Sequence, residues 1–366
     1  MLAKCIPARP VLFTRGFTRC FSNATFNNTQ IRLKSRPVGL PTKDNWSTVK
    51  EEISSIADND IVVKVQTLSL DPAMRGWMND AKSYIAPVGI DEVMRAGGVG
   101  TVVASKNPKF VEGDVVTGML GVQEFAHLTE QHLKPSGIVK IQLNELATDT
   151  VWLNTLGMPG MTAYFGFHEV GLPRPGETIV VSAAAGAVGQ SVGQLAKIMG
   201  LRVVGIAGGQ EKCDWVVGTL GFDACIDYKA SASSVHKGLK EHCPKGVDIF
   251  FDNVGGDILD SVLARINQKA RIVVCGAISQ YNSTEGVVGP KNYLSLLVNR
   301  ARMEGMVVFD YAKQYHVAVK ALSELLASKK MVSREHVVEG LENFPDALNV
   351  LFSGKNFGKL VLRVSK

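Results

Sequence analysis

Between residues 28 and 154 the apolar residues come in short runs broken by Gly, Pro and Asp, among them IVVKVQTLSL (61–70), GVGTVVAS (98–105) and GDVVTGML (113–120). Runs of this length bounded by turn formers predict strands, and together a compact β unit. From residue 177 the pattern changes. ETIVVSAA, LRVVGIA, ACIDY, VDIFFDN, ARIVVCGA and GMVVFDY are almost continuously apolar, and stretches of helical spacing such as AVGQSVGQLAKIMG and EKCDWVVGTLG lie between them. Strands apolar on both faces that alternate with helices predict a doubly wound parallel sheet, so the fold class is α/β with a second, β-rich unit. After an amphipathic helix near 313–328, residues 340–364 return to a helix, a glycine-bearing loop and a strand, a tail of the kind that folds back on the first unit. The expected division is therefore 27–154 with 330–366 for the β-rich unit and 155–329 for the α/β unit.

Charge adds a separate leader. The formal net charge is +6, but Lys4, Arg9, Arg15 and Arg19 all precede the first acid, Asp44, and the rest of the chain is close to neutral. That body has no Lys/Arg cluster of the kind nucleic-acid binding requires, and no apolar run approaches a membrane span. The first 21 residues, MLAKCIPARPVLFTRGFTRCF, are Arg-rich and acid-free. On a helix after Pro10, Arg15 and Arg19 would stack one turn apart, opposite Phe13, Phe17 and Cys20. This resembles a mitochondrial transit peptide cut near Phe21, and predicts the mitochondrial matrix; a simple N-terminal tail on a cytoplasmic protein is the alternative. Cys5, Cys20, Cys213, Cys225, Cys243 and Cys275 form no C-x-x-C pair, so neither disulfides nor a cysteine zinc site is expected.

The chemistry concentrates in the α/β half. In VVSAAAGAVGQSVGQLAKIMG (180–200), Gly186 and Gly189 lie at the turn from strand to helix, where a backbone can approach a pyrophosphate and the helix N-terminus offers free N–H groups. The first glycine of the usual dinucleotide turn is replaced by Ala184. About twenty residues on, an NAD site would carry an acid for the ribose. Here the strand ends in AGGQEKC (207–213), with small residues that leave room for a 2′-phosphate and Lys212 within reach of it, which predicts NADP(H). Glu211 beside Lys212 leaves open that both merely solvate a helix start. Tyr228 is a second phosphate candidate or a half-buried core tyrosine. The histidines show no metal-ligand spacing and no G-x-S-x-G is present, so no metal and no serine nucleophile are expected. Tyr281, in CGAISQYN (275–282) after a strand of the sheet, is placed to bond a substrate oxygen, although a loop tyrosine alone is equally compatible with packing.

Read together, SRPVGLPT, SLDPAMRGWM, LGMPGMTAYFG, AAAGAVGQSVGQLAK, LGFDACIDYK, DNVGG, CGAISQYN and GKNFGKLV make the chain similar to zinc-free medium-chain dehydrogenases/reductases. The resemblance is closest to the group of prostaglandin reductases, leukotriene 12-hydroxydehydrogenases and alkenal double-bond reductases, and covers nearly everything after residue 27. It implies a GroES-like β-rich catalytic domain and a Rossmann domain. It further implies that Gly186, Ala187, Val188 and Gly189 hold the pyrophosphate and that Lys212 and Tyr228 contact the 2′-phosphate. Asn253, the loop Cys275, Gly276, Ala277, Ile278, Ser279 and Gln280, the strand Met306-Val307-Val308, and Asn356 would surround the rest of the cofactor. Tyr281 matches the tyrosine that serves the substrate carbonyl. In Asp71-Pro72-Ala73-Met74-Arg75 the last three residues are expected in the substrate pocket, with Ala73 where animal and plant members have tyrosine, so an aromatic wall is expected to be lost.

The activity so implied is NADPH-dependent reduction of the carbon–carbon double bond of α,β-unsaturated ketones and aldehydes, by hydride transfer to the β-carbon with Tyr281 stabilising the enolate. A quinone reductase of the same superfamily and a non-enzymatic NADPH-binding protein are the alternatives. A small-molecule partner, no nucleic acid, no membrane and a homodimer formed through the edge segment RMEGMVVFDY (302–311) complete the expectations.

Overall fold

The computed structural model of the protein describes residues 25–364. The leader expected over residues 1–21 lies outside the described residues. The first unit contains β1 (Phe26–Leu33), β2 (Trp46–Ile53), β3 (Ile61–Ser69), β4 (Gly97–Ser105), β5 (Val115–Met119), β6 (Phe125–Leu128) and β7 (Val139–Lys140). The second contains β8 (Thr178–Ser182), β9 (Arg202–Ala207), β10 (Ala224–Asp227), β11 (Val247–Asp252), β12 (Ile266–Val274) and β13 (Arg302–Gly305), and the chain ends with β14 (Glu335–Glu339) and β15 (Lys359–Arg363). Among the described residues no helix is long and apolar enough to cross a membrane.

β8 to β13 form a wholly parallel sheet in the order β10-β9-β8-β11-β12-β13. Its strands are apolar on both faces because both are covered. Ile179, Val181, Val203, Ile249, Phe251 and Val273 enter one core, while their neighbours Val180, Val204, Phe250 and Ile272 enter the other. That alternation is the period of two of a strand, and only helices on both faces can bury it. Sheet order reverses between β8 and β11, so the carboxyl ends of these two strands diverge and open a crevice.

The first unit has a seven-stranded sheet in which β14-β15-β3-β4-β5-β7 are neighbours and β6 pairs with β3, beside a two-stranded sheet of β1 and β2. β15 lies inside this sheet, antiparallel to β3 and parallel to β14. The C-terminal segment thus completes the core of the unit that the chain began with. Leu360 and Leu362 join Val63, Leu68 and Trp77 there.

The two units are joined through side chains that imitate a strand. The helix Ala187–Ile198 carries two buried glutamines one turn apart. Gln194 donates from Nε2 to Val332 O (3.0 Å) and accepts from Val332 N–H (2.8 Å); Gln190 donates to Arg334 O (3.2 Å) and accepts from Arg334 N–H (3.0 Å). Each amide satisfies a backbone donor and acceptor of the stretch leading into β14.

One expected strand is shorter than its sequence pattern. GMVVFDY reads as a strand, but β13 stops at Gly305 and a 3-10 turn occupies Val308–Gln314. Packing overrides the local preference. Met306 and Val308 turn into the core, and the Tyr311 ring stacks on Phe165 with centroids 4.8 Å apart, which a continuing edge strand could not allow.

Gln194→Leu keeps the volume but leaves the Val332 N–H and C=O without partners. A loss of about 2 kcal/mol is expected, the usual cost of orphaned buried polar groups, read as a lower urea midpoint at unchanged m-value.

Candidate active site

Between the units lies a cleft of about 870 Å³ that runs from the carboxyl ends of the parallel sheet to the turn after β3. Its floor is the turn after β8. Ala183 adopts φ +49°, a left-handed conformation uncommon for alanine, and its carbonyl accepts from Gly186 N–H (2.8 Å). A Cβ on Gly189 would come within 2.3 Å of that carbonyl, so the helix can approach the turn this closely only with glycine. The helix Ala187–Ile198 therefore directs its first N–H groups into the cleft, a cradle for a diphosphate.

Beside it the crevice is held open by a buried carboxylate. Asp252, with no exposed surface, accepts from Ser182 Oγ–H (2.9 Å) across the divergence of β8 and β11, and from the N–H groups of Val254 (3.0 Å) and Gly255 (3.0 Å). Burial pushes its pKa up, while these donors oppose the rise. Asn253 is fixed by the same hinge, donating to Ser182 O (2.8 Å). From there the loop after β12 is hung on Asp252 O, which accepts from Cys275 and Gly276 N–H (2.9 and 3.1 Å).

At the far corner the chain presents two lysines and a tyrosine. A Cβ on Gly208 would lie 2.8 Å from the Tyr228 ring and 2.9 Å from Lys229 Cε, so the glycine at the end of β9 is what admits both side chains. Lys212 Nζ donates to Gly354 O (2.7 Å) in the C-terminal segment. Its pKa is lowered, first by burial and then by the nearby Lys229, so the corner favours an incoming anion. Lys229 has no expectation attached to it in the sequence, although its position next to Tyr228 at the end of β10 was a usable signal.

Tyr281 stands at the other end. Its hydroxyl oxygen accepts from Ala277 N–H (3.1 Å), and Gly276 makes room for it, since a Cβ there would approach it to 2.9 Å. Among the described residues no acceptor takes its proton, and burial pushes its pKa up, keeping it a donor. The neighbouring walls are apolar and aromatic. Trp77, Met158 and Phe309 line the cleft, and Tyr84 lies across from Phe309 with ring centroids 6.1 Å apart.

The structure brings together on this cleft Gly186, Ala187, Val188, Gly189, Lys212, Tyr228, Asn253, Cys275, Gly276, Ile278, Ser279, Gln280, Tyr281, Met306, Val307, Val308 and Asn356, with Ala73. Three expected residues stand elsewhere. Ala277 contributes its N–H to Tyr281 but does not line the cleft. Met74 is wholly buried in the core of the first unit, where the helical turn Ala73–Trp77 points it away from the cleft. Arg75 is buried behind the wall, its guanidinium taken by Gly39 O, Pro37 O, Asn79 and Asn282. The aromatic wall expected to be lost at Ala73 is supplied from elsewhere by Trp77, Tyr84 and Phe309. Among the described residues no group of three or more His, Cys, Asp or Glu side chains could hold a metal ion.

Known proteins share this layout. Residues 29–136 match the family described as the N-terminal domain of oxidoreductase, and residues 187–324 match the family described as zinc-binding dehydrogenase. The NADPH-dependent curcumin reductase of Escherichia coli is 40% identical over 91% of this chain and 96% of its own. The 2-alkenal reductase (NADP(+)-dependent) of Nicotiana tabacum is 42% identical over 93% of this chain and 98% of its own. The crystal structure of CurA in complex with NADPH from Vibrio vulnificus superposes with a TM-score of 0.85 at 43% identity, covering 92% of this chain and 99% of that one.

Lys212→Ala is expected to weaken NADPH about tenfold and NADH hardly at all, as loss of a charge-assisted contact predicts. Lys229→Ala is expected to do the same to a smaller degree. Fluorescence titration with both dinucleotides checks this; equal weakening of NADH would remove the 2′-phosphate assignment.

Proposed function

Since the chain belongs to the zinc-free medium-chain dehydrogenases/reductases of the prostaglandin and alkenal reductase group, we propose that it reduces the carbon–carbon double bond of α,β-unsaturated ketones and aldehydes with NADPH. The observation that carries this reading is the Tyr281 hydroxyl: held by the Ala277 N–H, deep in the cleft, with its own proton uncommitted.

The residues fit the cofactor. Glycine is needed at 189 and 208 where a Cβ would collide, helix N–H groups face the diphosphate cradle, and Lys212, Tyr228 and Lys229 surround the corner suited to a 2′-phosphate. When bound, NADPH supplies the hydride. What the chain adds is placement and charge stabilisation. As the substrate double bond is reduced at the β-carbon, negative charge gathers on the carbonyl oxygen as an enolate. The Tyr281 O–H is a donor already oriented by Ala277, so it needs no reorganisation to meet that charge. A desolvated phenol with a raised pKa remains protonated through this step, and the saturated ketone forms when a solvent-derived proton is added at the α-carbon of the enolate. The apolar surfaces of Trp77, Met158 and Phe309 exclude water from the reacting carbons and suit an uncharged, unsaturated substrate.

The same reading includes a homodimer. β13 is an edge strand whose four residues are exposed, and next to it Tyr293, Leu294, Leu297 and Val298 expose 58%, 56%, 75% and 69% of their surface. An open strand edge flanked by apolar side chains on this scale suits pairing with a second copy.

With a simple enone such as 3-nonen-2-one the protein is expected to oxidise NADPH and form the saturated ketone, and Tyr281→Phe to lower kcat about a hundredfold, the scale of one lost oxyanion donor. The raised Tyr281 pKa keeps the wild-type kcat from falling on the alkaline side until pH passes the ordinary phenol range near ~10. Turnover of a quinone but of no enone would replace the reading. Sedimentation is expected to show a dimer, and Leu297→Asp a monomer.

A further inference from the structure

Arg75 is 4% exposed, and among the described residues no carboxylate pairs with it. A buried guanidinium without a counter-ion is costly unless its N–H groups are satisfied and its position is fixed by more than one segment. Both conditions are met by neutral oxygens on three separate parts of the chain. Nε donates to Gly39 O (3.0 Å) and Asn282 Oδ1 (3.0 Å), Nη2 to Pro37 O (3.1 Å), and Nη1 to Asn79 Oδ1. Pro37, Gly39 and Asn79 belong to the first unit, as does Arg75 itself. Asn282 belongs to the other side of the cleft and is the residue after Tyr281.

The loop that carries Tyr281 is anchored unevenly. Its first half is pinned to the turn after β11, through Ile278 N–H to Asn253 O (3.3 Å), Ser279 N–H to Val254 O (3.2 Å) and Ser279 Oγ–H to Val254 O (2.6 Å). Its second half is bonded only within the loop and the segment that follows it, through Ser283 N–H to Gln280 O (3.1 Å), Ser283 Oγ–H to Gly286 O (2.8 Å) and Val288 N–H to Gln280 Oε1 (3.3 Å), and among the described residues makes no bond to the turn after β11; Asn282 is held by Arg75 from across the cleft. The two segments are in close approach there, since a Cβ on Gly39 would lie 3.6 Å from Thr284 Cγ2 and 3.8 Å from Asn282 O.

We infer that Arg75 is a positioning residue for Tyr281: its bond to Asn282 sets the height of the phenol in the cleft by fastening the catalytic loop to the substrate-domain wall. The requirement for arginine is geometric, because a planar fork reaches acceptors in several directions while a lysine ammonium on a flexible stem cannot reproduce them. This inference rests on the assignment of Tyr281 above.

The test removes only the cross-domain acceptor. Asn282→Ala leaves Arg75 its three partners in the first unit, and is expected to lower kcat with 3-nonen-2-one about tenfold or more while the NADPH dissociation constant changes less than twofold. Asn282→Asp retains an acceptor oxygen for Arg75 and is expected to keep kcat within about threefold of wild type; Arg75→Lys is expected to behave like Asn282→Ala. In a Tyr281→Phe background Asn282→Ala is expected to add no further loss, because residues acting as one unit are not additive. Hydrogen exchange of residues 277–283 in the NADPH complex is expected to quicken in Asn282→Ala. Wild-type kcat and unchanged exchange in Asn282→Ala would overturn the positioning role, as would an equal further loss in the Tyr281→Phe background. If Tyr281→Phe alone keeps full activity, it is the assignment of Tyr281 that fails, and the exchange measurement still decides whether Arg75 fastens the loop.

Discussion

The hydrogen bond from Gly358 N–H to Ala185 O (3.1 Å) joins the two halves of this protein at the floor of the cleft. Gly358 forms a bridge with Gly186 in the turn that cradles a diphosphate, and one residue later β15 enters the sheet of the opposite unit. The floor of the cleft and one of its walls are thus joined through the main chain over two residues. The glutamine pairs on residues 332 and 334 hold the same joint from the helix behind the turn. A cleft between two folding units keeps one width only if such links resist the entropy of opening, and backbone bonds in a dry interface do this with little side-chain freedom to lose.

The buried polar groups follow the same economy. Asp252 spans the point where β8 and β11 part. Lys359, 2% exposed at the start of β15, bonds Asp71 Oδ1 (2.6 Å) and Leu70 O (2.8 Å), which fixes the turn that carries Ala73. Burial lowers the Lys359 pKa while Asp71 opposes the fall, as in an ion pair whose attraction is set against desolvation. Such groups add little net stability compared with apolar residues of the same size. Their contribution is geometric: each admits one arrangement of the backbone around the cleft, and alternatives would leave a charge unsatisfied.

Much of this was legible along the chain. Continuous apolar runs marked the strands of the parallel sheet because both faces are covered, and the glycines near 186 marked the cradle because only a residue without Cβ allows that approach. The corner at Gly208 is readable as room and Lys229 as the neighbour of Tyr228, yet that Lys229 meets Gly208 follows only from β9 and β10 lying side by side. The motif places Arg75 in the pocket; apart from Asn79 one helical turn on, its partners stand dozens to hundreds of residues away, at 37, 39 and 282. The end of β13 at Gly305 was hidden for a similar reason, since Phe165, on which Tyr311 stacks, is invisible in the local pattern. What periodicity cannot report is which distant surface a side chain will meet.

Lys212 reaches from the parallel-sheet unit to the carbonyl of Gly354 at the end of the last helix, so the corner that suits a phosphate is built from both halves of the chain. A ligand seated there is gripped by two bodies at once and lost when either unfolds. By mass action, occupancy at about a thousand times the dissociation constant adds about 4 kcal/mol to the folded state, a contribution comparable with much of the net stability of an ordinary domain. The 2′-phosphate is the same in the oxidised and the reduced dinucleotide, so either form is expected to hold the two halves together, and the total pool sets the stability of the folded state independently of how often the protein turns over.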